Sequence, residues 1–160
     1  MIIFSNSVIS YLAHTYRKSL ASCLFCKIIK GEIPSYKLIE TEKSFAFVDI
    51  MPLSKGHSLV IPKYHAEQIQ ELPDEYLADI LPIAKKIALA QGASDYNILQ
   101  NNGKLAHQVI PHVHFHVIPK PNEEEGLIIG WPAKQLDKDE LPKIHEELKA
   151  KIDAASSSSL

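Results

Sequence analysis

The chain has 160 residues, 46% of them hydrophobic, and a formal charge of −2. That length fits one globular domain, and a near-neutral balance with interspersed signs gives no electrostatic basis for binding nucleic acid or a membrane surface. No apolar run approaches the roughly 18 residues that a membrane helix requires.

Residues 1–22, MIIFSNSVISYLAHTYRKSLAS, hold no Asp or Glu, five serines and two basic residues, Arg17 and Lys18. Two readings stand for this segment: a disordered leader or a mitochondrial targeting segment. The ordered body is expected over 23–152, and the tail 153–160 is low-complexity and expected to be disordered. Cys23 and Cys26 cannot build a disulfide framework, which favours a reducing, intracellular setting. The expected location is the cytoplasm, with the nucleus included and mitochondrial import as the alternative raised by residues 1–22.

SYKLIE (35–40) and SFAFVDI (44–50) read as strands with hairpin-like spacing. In the second, Phe45, Phe47 and Asp49 share one face and Ala46, Val48 and Ile50 the other. MPLSKG supplies a turn. HSLVIP (57–62) is a third strand, ended by Pro62. A helix follows, with a start signal at Pro73 and Asp74, apolar spacing through Leu77, Ile80, Leu81, Ala84, Ile87 and Ala88, and a stop at Gly92. Pro82 inside it predicts a kink or a short break. YNILQN (96–101) and VHFHVI (113–118) are the last strands, and DKDELPKIHEELKAKI is a polar helix. The expected class is α+β, with a five-stranded, mainly antiparallel sheet and helices gathered between and after. No glycine-rich phosphate loop is present.

The stretch PHVHFHVIPK places His112, His114 and His116 at strict alternation. On a strand they share a face, with Val113, Phe115 and Val117 behind them in the core. Three readings remain open. They are packing residues, or ligands of a metal, or a nucleophile with helpers. A neutral imidazole attacks phosphorus when one ring nitrogen is free and the other is held by an acceptor. From Tyr96 to Asn122 the only charged residues with a fixed sign are Lys104 and Lys120. A carboxylate-free, donor-rich segment suits an anionic substrate.

HVHFHVI resembles the His-φ-His-φ-His-φ-φ signature of the histidine triad (HIT) superfamily. CLFCKIIKGEIPSYKLIE, FAFVDIMPLSKGHSLVIPKYH and NNGKLAHQVIPHVHFHVIPK resemble its nucleotide-binding Hint branch, in order and at suitable spacing, and GWPA (130–133) is similar to that branch's tryptophan-containing segment. The resemblance covers about residues 23–133. It implies a phosphoramidase that cleaves the P–N bond of an adenosine 5′-monophosphoramidate through a nucleotidyl-histidine intermediate, with no cofactor for catalysis. His114 is then the nucleophile, His116 a donor to the α-phosphate, and His112 the residue whose carbonyl holds the His114 ring. His57 matches a fourth histidine that supports the triad. Gln108 and Asn101 match phosphate-side residues, and Asp49 the carboxylate that accepts from the ribose hydroxyls. Phe25, Ile28, Phe47, Ile50 and Leu59 match the apolar wall around the purine. Family members of this type are homodimers with a ten-stranded sheet, in which Trp131 reaches the neighbouring pocket.

Two features set further expectations. Where animal members have Gly-Gln-Ser, with a serine that helps the leaving group, this chain has His107-Gln108-Val109, similar to the fungal version. Val109 has no hydroxyl, so that assistance falls to His107, His57 or the backbone. Relatives that share Cys23-x-x-Cys26 bind zinc through it together with residues matching His65 and His112, which implies a structural Cys₂His₂ zinc site. The alternatives are a dinucleoside polyphosphate hydrolase, a nucleotide-binding interaction protein with incidental hydrolysis, and a metal-dependent hydrolase using the three histidines as ligands.

Overall fold

The computed structural model describes residues 20–130 and 132–157; expectations that fall on 1–19, on Trp131 and on 158–160 lie outside the described residues. Two compact units are present, one ending at Ile128 and the other beginning at Ile129.

The first unit is built on one sheet. Strands β1 (Lys37–Glu40), β2 (Ser44–Val48), β3 (Ser58–Pro62), β4 (Tyr96–Gln100) and β5 (Phe115–Pro119) run in the order β1-β2-β3-β5-β4. Every neighbouring pair is antiparallel, as the α+β reading expects. A short helix α1 (Leu24–Ile29) precedes the sheet, and α2 (Asp74–Gln91) connects β3 to β4.

Strand alternation divides the core in two. Ala46, Val60, Val113, Phe115 and Val117 pack with Ile80, Ile83, Ala84, Ile87 and Ala88 of α2. Phe45, Phe47, Leu59 and Ile61 face the other way, against Cys23, Phe25, Cys26 and Ile28. The helix α1 was not expected. Six residues are too few to show a helical period, and so short a helix is stable only through what it buries. Here it buries Phe25, Cys26 and Ile28.

Four expectations need correction. Leu81 is 55% exposed and Ile83 takes its place in the core, because the buried stripe steps from Ile80 to Ile83 and Ala84. Pro82 does not break α2. Proline removes the bond to the carbonyl four residues earlier, but Pro82 and Ala78 both lie on the exposed side, where burial does not penalise the lost bond. The polar C-terminal helix, α3 (Glu140–Ser157), runs past residue 152, so 153–157 are helical rather than disordered. Lys149 pairs with Asp153, and the Ser156 hydroxyl donates to the Ile152 carbonyl, which extends the last turns. Residues 20–22 are helical too, and Leu20 packs on the α1 side of the core, so the leader is structured before residue 23.

β5 starts at Phe115, later than the expected Val113. Its partner β3 ends in Pro62, which has no N–H to give to the ladder. The Val113 amide instead donates to the Ala66 carbonyl at 2.8 Å. His112 and His114 therefore precede the ladder, and only His116 sits within it.

One loop contact depends on a glycine. Gly126 has φ +83°, and its amide donates to the Leu53 carbonyl. A Cβ there would lie 2.7 Å from the Pro119 carbonyl oxygen. Gly126→Ala is expected to lower stability by about 1–3 kcal/mol. Urea denaturation reads this directly, and an unchanged midpoint contradicts it.

Candidate active site and metal centre

Three histidines that look equivalent in the sequence differ in what their rings touch. His114 is 5% exposed, and its Nδ1–H donates to the His112 carbonyl at 2.6 Å. That bond fixes one tautomer and leaves the Nε2 lone pair as the reactive atom. Burial holds its pKa below the ordinary histidine range, against the opposing pull of the His112 carbonyl and Asp49, so the ring is neutral. Phe25 packs edge-on against it, with centroids 5.2 Å apart.

The tautomer of His116 follows from a chain of bonds. The Leu53 amide donates to His57 Nδ1 at 3.1 Å, so His57 carries its proton on Nε2. That Nε2–H donates to His116 Nδ1 at 2.9 Å. His116 must then hold its own proton on Nε2, where it is a donor. Asp49 Oδ2 lies 3.7 Å from His57 Nε2, too far for a hydrogen bond, and Asp49 Oδ1 accepts from the Met51 amide at 2.8 Å. The carboxylate thus closes its own turn and still has one oxygen uncommitted by that bond.

Burial, then the neighbouring rings of His114 and His57, hold His116 down to about 4 from an ordinary 6.5. Burial lowers His57 as well. The sign of the consequence is fixed: a histidine with a depressed folded pKa binds protons more readily when unfolded. Stability is therefore complete above pH 6.5 and falls as pH drops toward 4. Each such group contributes a slope of up to about 1.4 kcal/mol per pH unit. Thermal midpoints are expected to fall between about pH 6.5 and 5, and more shallowly in His116→Gln. Equal slopes for the two proteins contradict this.

The apolar wall assembles only in part. Phe25, Ile28, Phe47 and Leu59 are buried in one cluster beside the histidines. Ile50 and Val109 are 80% and 84% exposed, so neither packs into that buried cluster. Both sit in loops whose backbone turns the side chain outward, which strand alternation alone does not foresee. Asn101 is half-buried directly after β4. Gln108 is engaged at both ends of its amide. Its Oε1 accepts from the Gly103 amide at 2.6 Å, and its Nε2 donates to the Glu67 and Ile110 carbonyls. A phosphate contact by Gln108 requires exchanging one of these bonds. His107 has φ +64°, the only positive value among the described non-glycine residues. It borders a cleft of about 600 Å³ lined also by Glu67, Lys104, Gln108 and Val109.

His112 is fully buried. Its Nε2–H donates to the Pro62 carbonyl at 2.9 Å, which leaves Nδ1 as a lone pair. That Nδ1 lies 3.4 Å from Cys23 Sγ, 3.6 Å from Cys26 Sγ and 3.2 Å from His65 Nδ1. Cys26 Sγ and His65 Nδ1 are 3.4 Å apart. Zinc at ordinary bond lengths in a tetrahedron sets N···N near about 3.3 Å and S···N near about 3.5 Å. The four side chains, all buried, therefore fit a zinc ion of that geometry. Burial and the neighbouring Cys23 push the Cys26 thiol up to about 12, and Lys30 opposes this weakly.

Asp49, His57 and His116 form the other group of potential ligands among the described residues, and neither group contains His114. The three triad rings do not converge on one ion, which removes the geometric basis for a hydrolase using all three as ligands. The sequence reading missed the backbone partners: the Pro62 carbonyl and the Leu53 amide set two tautomers. No side-chain signal marks either of them.

Comparison with known proteins agrees with this geometry. A family model described as the HIT domain matches residues 30–123. An adenosine 5′-monophosphoramidase of Saccharomyces cerevisiae is 58% identical over 135 residues, covering 84% of this chain and 85% of that protein. The crystal structure of a histidine triad nucleotide-binding protein from Candida albicans has TM-score 0.81 at 51% identity, covering 84% of this chain and 99% of that one. A zinc-bound histidine triad family protein from Mycobacterium smegmatis has TM-score 0.63 at 33% identity, covering 85% of this chain and 99% of that one.

Proposed function

Since the chain belongs to the HIT domain family, we propose that it is an adenosine 5′-monophosphoramidase, a nucleotide hydrolase with a histidine nucleophile. The observation that carries this reading is the 2.6 Å bond from His114 Nδ1–H to the His112 carbonyl, on a buried neutral ring. His114 Nε2 attacks the α-phosphorus, the P–N bond breaks, and the amine leaves with a proton taken up from solvent, which the later attack of water returns. Water then attacks the nucleotidyl-histidine, releasing AMP and restoring the imidazole. His116 donates its Nε2–H to a phosphate oxygen as charge builds, and His57 keeps it in that tautomer. Phe25, Ile28, Phe47 and Leu59 take the purine face, and Asp49 accepts from the ribose hydroxyls.

Cys23, Cys26, His65 and His112 are proposed to hold a structural zinc ion. The donor set is closed, with all four positions filled by the chain, so the ion supplies rigidity. Its support is the match of the four separations to a tetrahedron and the likeness to the zinc-bound relative. A homodimer is proposed through β4, which lies at the sheet edge with Tyr96 and Ile98 exposed. Pairing β4 with its copy gives a ten-stranded sheet.

The substrate test compares kcat/KM on adenosine 5′-monophosphoramidate and on a diadenosine polyphosphate. Faster release of AMP from the phosphoramidate is the expected result. The reverse order favours the dinucleoside polyphosphate hydrolase, a choice sharpened by Val109, which cannot assist a leaving group. Negligible rates on both, with nucleotide binding intact, favour an interaction protein.

A further inference from the structure

We propose that Cys23, Cys26 and His65 are positioning residues for the nucleophile, acting through His112 on the ring of His114. The inference rests on His114 being the attacking residue and on the four-ligand site holding zinc. It assigns that site a task in the reaction beyond holding the fold.

The argument begins with what holds the His112 carbonyl. That carbonyl is the acceptor that sets the tautomer and the direction of the His114 ring. It lies outside the β3–β5 ladder, whose last registered pair is Val60 with Phe115. The His112 amide makes only a local bond, to the Ile110 carbonyl at 2.8 Å. The same peptide is held by the Val113 amide, which donates to the carbonyl of Ala66, next to His65, at 2.8 Å, and the remaining anchor is the His112 ring. Nε2 is tied to Pro62, and Nδ1 faces Cys23, Cys26 and His65 at 3.2–3.6 Å. With a metal, that second anchor is a coordinate bond of fixed length. Without one, only weak thiol and imidazole hydrogen bonds remain.

A second route leads from the same ligands. Phe25 lies between the two cysteines on α1, and its ring packs edge-on against His112 at 5.8 Å and His114 at 5.2 Å. The six-residue α1 has no side-chain cap at its start, so ligation at Cys23 and Cys26 adds to the packing on Phe47 that places Phe25 against the nucleophile. Both routes set the aim of one ring, and a reacting ring tolerates little misplacement.

The consequence is larger for chemistry than for binding. Loss of the metal should slow nucleotidylation of His114 by about 10–100-fold, the scale on which outer-sphere partners act, and weaken AMP binding by less, since Phe25 is one of four residues of the purine wall. The experiment uses the full chain loaded with Zn²⁺, stripped of it, and as Cys23→Ser. Long-range ¹H–¹⁵N NMR reads the His114 ring, and quenched-flow single turnovers read nucleotidylation. The expected result is one sharp Nδ1–H resonance with Zn²⁺, a broadened or mixed-tautomer ring without it, and a slower single turnover with a smaller change in AMP affinity. Added Zn²⁺ restores the stripped chain and not Cys23→Ser.

A stripped chain that unfolds moves the decision to a Cd²⁺-loaded chain, which keeps the site filled with longer bonds. A shifted His114 resonance and a slower single turnover there support the proposal; both unchanged overturn it. An unchanged ring and rate in a folded, stripped chain overturn it as well, as does a chain that takes up no Zn²⁺. The ring resonance does not depend on any substrate, so the proposal fails or stands separately from the phosphoramidase reading.

Discussion

His114→Ala is expected to lose nucleotidylation and turnover by about 10⁴-fold or more, with AMP affinity held within a few-fold. The reason lies in the division of roles. His114 alone of the triad has a ring tied to a backbone carbonyl on Nδ1, so its Nε2 is the one placed to bond phosphorus. The purine wall of Phe25, Ile28, Phe47 and Leu59 does not include it, so binding survives. Shortening the residue leaves a small space beside Phe25 and takes the donor from the His112 carbonyl. His116→Ala and His57→Ala should cost less, because each removes donation or tautomer control rather than the bond-forming atom. Steady-state rates with the phosphoramidate, beside equilibrium binding of AMP, measure the split. Substantial turnover in His114→Ala removes the nucleophile assignment.

Cys26→Ser is expected to lose the metal and much stability. A ligand bound only by the folded state adds about 4 kcal/mol when present at roughly a thousand times its dissociation constant. For a chain of this size that corresponds to a thermal midpoint lower by about 8–16 °C. Elemental analysis should find one zinc per chain in the parent and none in the variant. Equal midpoints with and without a chelator contradict a stabilising metal. Cys26 is the informative position because its Sγ lies near both histidines of the set.

How much of this was visible in the sequence depended on whether the signal lay in side-chain type or in packing. Alternation at His112, His114 and His116 predicted one face, and the structure keeps Val113, Phe115 and Val117 on the other. The resemblance carried by Cys23-x-x-Cys26 implied His65 and His112 as its partners, and the four are brought within ligand distance of one another. These are choices of chemical group, and the sequence writes them directly.

What it did not write were backbone partners and exposures. The Pro62 carbonyl and the Leu53 amide have no residue-type signature, yet they decide which nitrogen of His112 and His57 carries a proton. Pro62 was legible as a strand end, but its effect on the neighbouring strand, releasing His112 and His114 from the ladder, needed the register. Ile50 matched the apolar wall in type, and it is exposed in the loop after β2. Gln108 looked like a phosphate ligand, and its amide is engaged by three backbone groups. Leu81 and Ile83 fit a helical stripe about equally on paper, and only the sheet behind α2 selects Ile83.

The most direct measurement is the intact mass of the chain after brief exposure to an adenosine phosphoramidate under acid quench. A population heavier by one adenylyl group, mapped by peptide fragmentation to His114 and missing from His114→Ala, is the predicted result. An adduct on another residue, or AMP released at full rate with no adduct trapped at any quench time, would contradict a nucleotidyl-histidine route at His114.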